Sequence, residues 1–194
     1  MTHADESVLV ERARTDPAAF GTLYDRYMER IYSYAARQTG DVAAAQDITA
    51  ATFEKALRHI RRFQWRNIGF APWLYRIASN EIAQHYRNRR FTVAWGERDE
   101  AEPVGVMPGG NGARPPEARV LAMEQSGMLA RALRGLSAAD RDVLTLRFLE
   151  GLSTDDVAAV LGCSRDNVYV RLHRALARLR QQLERLEGME ANRL

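Results

Sequence analysis

Residues 153–176, STDDVAAVLGCSRDNVYVRLHRAL, decide how the rest of the chain is read. Ser153 with Asp156 three residues on resembles a capping box and opens a short helix, Thr154 to Leu161. Gly162-Cys163-Ser164 predicts a tight turn, and Ser164 caps a longer helix from Arg165 to about Leu186. A short helix, a glycine turn and a longer basic helix make a helix-turn-helix. Val157, Ala158, Leu161, Val168, Leu172 and Leu176 are spaced to fix the two helices at their angle. Arg165, Asn167, Tyr169, Val170, Arg171, His173 and Arg174 then point outward on the half of the second helix that enters a major groove. A helical hairpin without a DNA partner is the competing reading. Cys163 reads as a small buried filler rather than a redox sensor.

Upstream of this motif, Ser137 caps a helix from Ala138 to Leu149 that Gly151 ends, and a further helix spans Glu117 to Leu133. Before that, Phe91 to Arg119 changes character. Four of the six prolines and five of the thirteen glycines fall there, beside the acidic run Glu97 to Glu102, so the stretch predicts a flexible linker. The organisation expected is therefore a first domain over 1–90, a linker over 91–119 and a second domain over 120–194.

The first domain reads as four helices. Glu6 to Arg14 is short and amphipathic, and Asp16-Pro17 starts a second helix that runs to about Gln38 and stops at Gly40. Its stripe is Phe20, Leu23, Tyr24, Tyr27, Ile31 and Tyr34. Asp41 caps a third helix with Val42, Ala45, Ile48, Thr52, Phe53, Ala56 and Leu57 inward and Asp47, Ala50, Ala51 and Glu54 outward. Arg61 to Gly69 reads as a loop. Pro72 sits in the first turn of a fourth helix reaching about Asn88, with Leu74, Ile77, Ala78, Ile82 and Tyr86 inward. Arg76, Asn80, Ala83 and Arg87 share its opposite face.

From Arg58 to Arg90 eight arginines face a single acid, Glu81, with Phe63, Trp65, Phe70, Trp73, Tyr75 and Tyr86 interleaved. Cations that neutralise phosphate beside rings that stack on bases suit single-stranded or opened nucleic acid. The plainer reading is that the rings fill a core and the arginines are solvated. Of the chain's 28 basic residues only Lys55 is a lysine. Arginine's planar fork suits phosphates and base edges, but so uniform a bias also fits a GC-rich genome.

A single cysteine excludes an internal disulfide and a cysteine-based zinc site, and the four histidines lack metal-ligand spacing. No apolar run approaches the length of a membrane span, and the N-terminus lacks a signal-peptide apolar region, so a cytoplasmic protein is expected. The basic stretches hold neither paired carboxylates for two-metal chemistry nor a phosphate-cradling glycine loop. No catalysis, cofactor, metal or small-molecule substrate is expected. A stand-alone helix-turn-helix regulator and a nucleic-acid enzyme both stay open on composition and spacing alone.

Both halves resemble a known class. AFGTLYDRY, DITAATFEKAL and FAPWLYRIASNEIAQHYRNRR are similar to region 2 of bacterial sigma-70 family RNA polymerase sigma factors, and LSAADRDVLTLRFLEGLSTDDVAAVLGCSRDNVYVRLHRALARL is similar to region 4. Two such regions with a linker between resemble the compact extracytoplasmic-function (ECF) group. The resemblance implies an all-α chain of two small domains that binds core RNA polymerase and directs it to promoter DNA. It implies that Asp47, Ala50, Ala51 and Glu54 dock on the clamp helices of the largest subunit, and that the flap of the second largest engages the chain too. Arg61, Arg62, Trp65, Arg66, Arg76, Asn80 and Arg87 would capture the melted −10 strand. Tyr169, Val170, His173 and Arg174 would read bases of the −35 duplex, with Ser164, Arg165 and Arg171 on phosphates and Asn167 beside them. It implies an anti-sigma partner as well, able to hold the chain at the membrane, and nucleoid association when active. In two places the chain departs from the family: Ala50-Ala51 replaces a usual Gln-Glu pair, and Asp166-Asn167 a usual Gly-Thr.

Overall fold

The computed structural model describes residues 3–65, 69–94 and 127–191. Among them the chain is helical, without strands, in two domains.

In the first domain α1 (His3–Ala13) leads into α2 (Pro17–Thr39), where the Asp16 carboxylate accepts from the Ala18 N–H at 2.9 Å. Gly40 at φ 70° closes α2 by returning its N–H to the Ala36 carbonyl, a left-handed turn that glycine adopts without a Cβ clash. Asp41 caps α3 (Val42–His59) through the Ala44 N–H at 3.0 Å. A 3₁₀ turn over Ile60–Arg62 follows, and α4 (Phe70–Ala94) begins after the short connection. Leu23, Ile31, Ala45, Ala56, Leu74 and Ala78 are completely buried where these helices meet. Each such aliphatic side chain larger than alanine contributes roughly 1.5–3 kcal/mol from burial.

The second domain holds a helical stretch over residues 127–134 (α5), α6 (Ala138–Leu144), α7 (Thr154–Leu161) and α8 (Arg165–Ala191). The caps fall where the sequence puts them. Ser137 accepts from the Asp140 N–H, Ser153 from the Asp156 N–H, and Ser164 from the Asn167 N–H, each near 3.2 Å. Gly162 at φ 63° makes the turn between α7 and α8.

Several expectations need correction. The helix expected to run to Leu149 leaves α geometry at Thr145 and finishes as a π turn, Thr145–Leu149, closed by the Glu150 N–H on the Thr145 carbonyl at 2.9 Å. Arg61 and Arg62 stand in the 3₁₀ turn rather than an irregular loop, and α4 and α8 run several residues past their expected ends. Tyr24, Val42, Leu57 and Leu176, read as inward, are exposed, and Ala175 takes the buried position expected of Leu176. Cys163 is only half-buried. Most of the linker and the start of the Glu117–Leu133 helix lie outside the described residues.

The two domains pack together, α4 on α7 and α2 on α6. One hydrophobic cluster runs through both domains, and polar contacts cross their joint as well. Glu150, 4% exposed at its side chain, accepts from Arg37 at 2.8 Å and from the Tyr75 hydroxyl, while Arg30 donates to its backbone carbonyl at 3.0 Å. The Asp142 carboxylate accepts from the Tyr34 hydroxyl and, at 3.4 Å, from Ser79. Burial first, and then the carboxylate each one faces, hold the Tyr34 and Tyr75 hydroxyls above the ordinary phenol range.

Asp142 is pushed up to about 6 by burial, which outweighs the bonds from Tyr34 and Ser79 and the charges of Arg141 and Arg171. A carboxylate raised in the folded state binds its proton more tightly there than in the unfolded chain. Its contribution to stability is therefore full below about pH 4 and is lost as pH rises to about 6, by an order of 1–3 kcal/mol. Asp142→Asn keeps an acceptor for Tyr34 without the buried charge. Urea titrations between pH 4.5 and 7.5 should show the variant gaining on the parent as pH rises, with the difference levelling off near pH 7. A difference that does not vary with pH would remove Asp142 as the titrating group.

Candidate nucleic-acid interface

Along α4, Arg76, Asn80, Ala83 and Arg87 are all exposed, one above another at three- and four-residue steps. This row carries two cations and an amide around a small residue. Backbone and bases of a strand laid along it meet donors without a steric block. Arg61 and Arg62 are exposed on the 3₁₀ turn at the foot of the same domain. Arg61 Nε donates to the Arg14 carbonyl at 3.2 Å, and the Arg14 guanidinium donates to the Phe63 carbonyl. This reciprocal brace from the turn after α1 sets the direction in which the chain leaves the 3₁₀ turn. Arg14 was not singled out from sequence, since nothing in ERARTD separates a bracing arginine from a solvated one.

The rings of this stretch are mostly core. Phe63, Phe70 and Tyr75 are buried, and Phe63 sits 4.8 Å from Trp73 and 6.0 Å from Phe70, centroid to centroid. Such tilted and edge-on pairs stabilise the packing beyond their area. Trp65 is half-buried, edge-on to Phe63 at 6.0 Å. The row of stacking rings expected from sequence thus reduces to the partly exposed Trp65, Trp73 and Tyr86, the last with its hydroxyl on the Gln38 carbonyl at 2.5 Å; Arg66 lies outside the described residues.

In the second domain Val157 and Val168 are buried between α7 and α8, with Leu172 and Ala175 beneath them. That packing turns Arg165, Asn167, Tyr169, Val170, His173 and Arg174 to the surface, while Arg171, expected to point outward, is half-buried. Ser164 is exposed, its hydroxyl committed as acceptor to the helix cap. Arg165 lies 5.8 Å over the Tyr169 ring, donates to its hydroxyl at 3.3 Å and stands 3.7 Å from Asp155. That hydrogen bond lowers the Tyr169 hydroxyl below its usual range and raises the Arg165 guanidinium. A cation and a ring held together at one helical step form a pre-set pair for a base edge and its neighbouring phosphate.

Two further surfaces are free of DNA-type chemistry. On α3, Asp47, Ala50 and Glu54 are exposed and Ala51 half-buried on one face, Glu54 paired with Arg58 at 2.5 Å. In the second domain Leu129, Leu133, Leu144, Phe148, Leu149, Leu176 and Leu179 line an open apolar groove of about 180 Å³. Sequence reading missed this groove because it assigned Leu176 to the core. No cluster of His, Cys, Asp or Glu able to hold a metal occurs among the described residues.

Residues 23–92 match Sigma-70 region 2 and residues 126–179 match Sigma-70, region 4. The ECF RNA polymerase sigma factor BldN of Streptomyces coelicolor is 37% identical over 178 residues, 90% of this chain and 64% of that protein. The RNA polymerase sigma-H factor of Pseudomonas aeruginosa is 32% identical over 96% of this chain and 97% of its own length. Among solved structures, the sigma factor RpoE in complex with the anti-sigma factor NepR from Bartonella quintana has a TM-score of 0.69 at 24% identity, covering 85% of this chain and 96% of that one. CnrH in complex with the cytosolic domain of CnrY reaches 0.65 at 27% identity, covering 92% and 97%. With both regions present in order and a relative 32% identical along 97% of its own length, the chain belongs to the sigma-70 family of RNA polymerase sigma factors, in its ECF group.

Proposed function

We propose that this chain is a promoter-specificity subunit, without catalysis of its own, that joins core RNA polymerase and seats it on promoter DNA by two separate contacts. The observation that carries the reading is that one chain exposes two unlike nucleic-acid surfaces. The Arg76–Asn80–Arg87 row, with Arg61 and Arg62 below it, suits an opened strand at the −10 element. The N-terminal half of α8 suits the major groove of the −35 duplex, with Tyr169, Val170, His173 and Arg174 toward bases and Ser164, Arg165, Asn167 and Arg171 toward phosphates. The α3 face fits the clamp helices of the polymerase's largest subunit, and the apolar groove beneath α8 fits a helix of the second-largest subunit's flap. Domain boundaries near residues 90 and 120 leave each surface on its own folded unit.

Control by an anti-sigma protein is part of the reading, supported by the CnrH likeness, since that protein was solved with the cytosolic domain of CnrY. Its work is placed in the cytoplasm beside the nucleoid, the anti-sigma protein supplying any membrane tether. No described helix is long and apolar enough to cross a membrane.

Run-off transcription with core polymerase tests this. Chain plus polymerase should start transcripts at defined sites on genomic templates, while the chain alone should leave duplex DNA almost unprotected. Tight protection of duplex by the chain alone would favour the stand-alone regulator.

A further inference from the structure

We infer that Arg14, in the turn between α1 and α2, is a positioning residue for capture of the −10 strand: its guanidinium fixes the peptide that follows Phe63 and so aims Trp65. The inference rests on the strand-capturing reading above. Arg14 lies ahead of residues 23–92, the part of the domain that matches Sigma-70 region 2.

Phe63 is held from three sides. It is the first extended residue after the 3₁₀ turn, at φ −63° and ψ 131°, and its N–H returns to the Ile60 carbonyl at 3.1 Å. Its ring is buried against Phe70 and Trp73. Amide and ring fix the residue as far as its Cα, but the peptide beyond can still turn about ψ. The Arg14 guanidinium stops that rotation by donating to the Phe63 carbonyl. Trp65 follows two residues later, half-buried and edge-on to the Phe63 ring, so a turned peptide would redirect it. Arg61 is held from the same residue, its Nε on the Arg14 carbonyl at 3.2 Å. That leaves the Nη groups of this exposed side chain for phosphate.

Exposure decides which contact anchors Arg14. Glu11 accepts from it at 2.7 Å, but that carboxylate is 67% exposed, and a surface pair of this kind orients a side chain without holding it. The bond to the Phe63 carbonyl is part-buried, and Arg14 Nε is shut off from water with no acceptor among the described residues. A buried donor left unpaired is unfavourable, so the Nη bonds and the surrounding packing must outweigh it to keep the guanidinium in place. A strand meeting an unbraced Trp65 has to order it on binding, which lowers affinity about two- to tenfold.

The test uses holoenzyme assembled from core polymerase and the full chain, with a fluorescent single strand carrying the −10 element of a promoter mapped by run-off transcription. Arg14→Met keeps the aliphatic stem and removes the donors. It should weaken binding of that strand about two- to tenfold, while assembly by gel filtration and binding of a duplex carrying only the −35 element are unchanged. Arg14→Lys, which restores one donor, should recover most of the loss. In a Trp65→Ala background, Arg14→Met should lower affinity by less than about twofold more, because the group it aims is gone. A loss matched by weakened assembly, or one that lysine does not recover, marks a merely structural role and overturns the inference. Unchanged strand binding by Arg14→Met, or a loss undiminished in the Trp65→Ala background, overturns it too and leaves the strand-capturing reading standing. If Trp65→Ala and the joint change of Arg76, Asn80 and Arg87 to alanine both bind the strand as the parent does, that reading falls and the inference with it.

Discussion

Replacing Arg76, Asn80 and Arg87 together with alanine should lower run-off transcription at least about a hundredfold while holoenzyme still assembles. The three side chains are exposed on one face of α4. Among their described contacts, Arg87 reaches its neighbour Gln84 at 2.7 Å. Exposed substitutions of this kind change stability by about 0.5 kcal/mol or less, and alanine is a good helix former, so the fold should be intact. The loss falls instead on the opened strand. Hydrogen bonds to a charged partner contribute about 1.5–3 kcal/mol each, so two of them together supply about 3–6 kcal/mol, a hundredfold or more. Salt separates this from a general defect. With two cations gone from a single-stranded contact, the slope of log activity against log salt should flatten by about 1.4. Gel filtration with core polymerase reports assembly. A triple variant that initiates normally would remove α4 from the strand-capturing role.

Phe148→Asp should lower activity at promoters that need an upstream element by about thirtyfold or more. Phe148 is 55% exposed on the wall of the groove shared with Leu149 and Leu176, which are 43% and 44% exposed. Open leucines and a phenylalanine around one groove form the kind of contiguous apolar patch that marks a docking site. A carboxylate there must be buried unpaired when an apolar helix docks, at a cost of several kcal/mol. The free chain should tolerate it, because the Phe148 ring is largely in water and its described ring contact is with Arg147, at 5.8 Å. Pull-down of an isolated flap fragment, beside binding of the isolated clamp helices, assigns the effect. Loss of flap binding with clamp binding retained is the expected pattern. Equal loss of both, or of neither, would remove the groove from the polymerase contact.

What could be read before folding was whatever a few neighbouring residues decide. Asp16, Asp41, Ser137, Ser153 and Ser164 cap helices because each side chain reaches an amide two or three residues on. Gly40, Gly151 and Gly162 take positive φ because left-handed backbone excludes most other residues. The helix-turn-helix and the outward row on α4 follow from the same local periodicity. Periodicity tells which residues share a face, but not what covers that face. Tyr75 shows the difference: its neighbours Leu74 and Ala78 pack into the first domain, while Tyr75 is buried with its hydroxyl on Glu150, 75 residues away. Leu176 shows the reverse, an apolar residue left open because Ala175 fills the core position.

The residues alone therefore settled two helical units, their order and most of the polar side chains each turns outward, since helix caps, glycine stops and a 3.6-residue repeat are properties of short segments. Tertiary structure decided which rings became core and how Arg14 braces the turn below α4. It also decided that Glu150 and Asp142 bind the two units to each other. Burial and charge pairing across a hundred residues depend on what a neighbouring surface brings, and no local pattern records that.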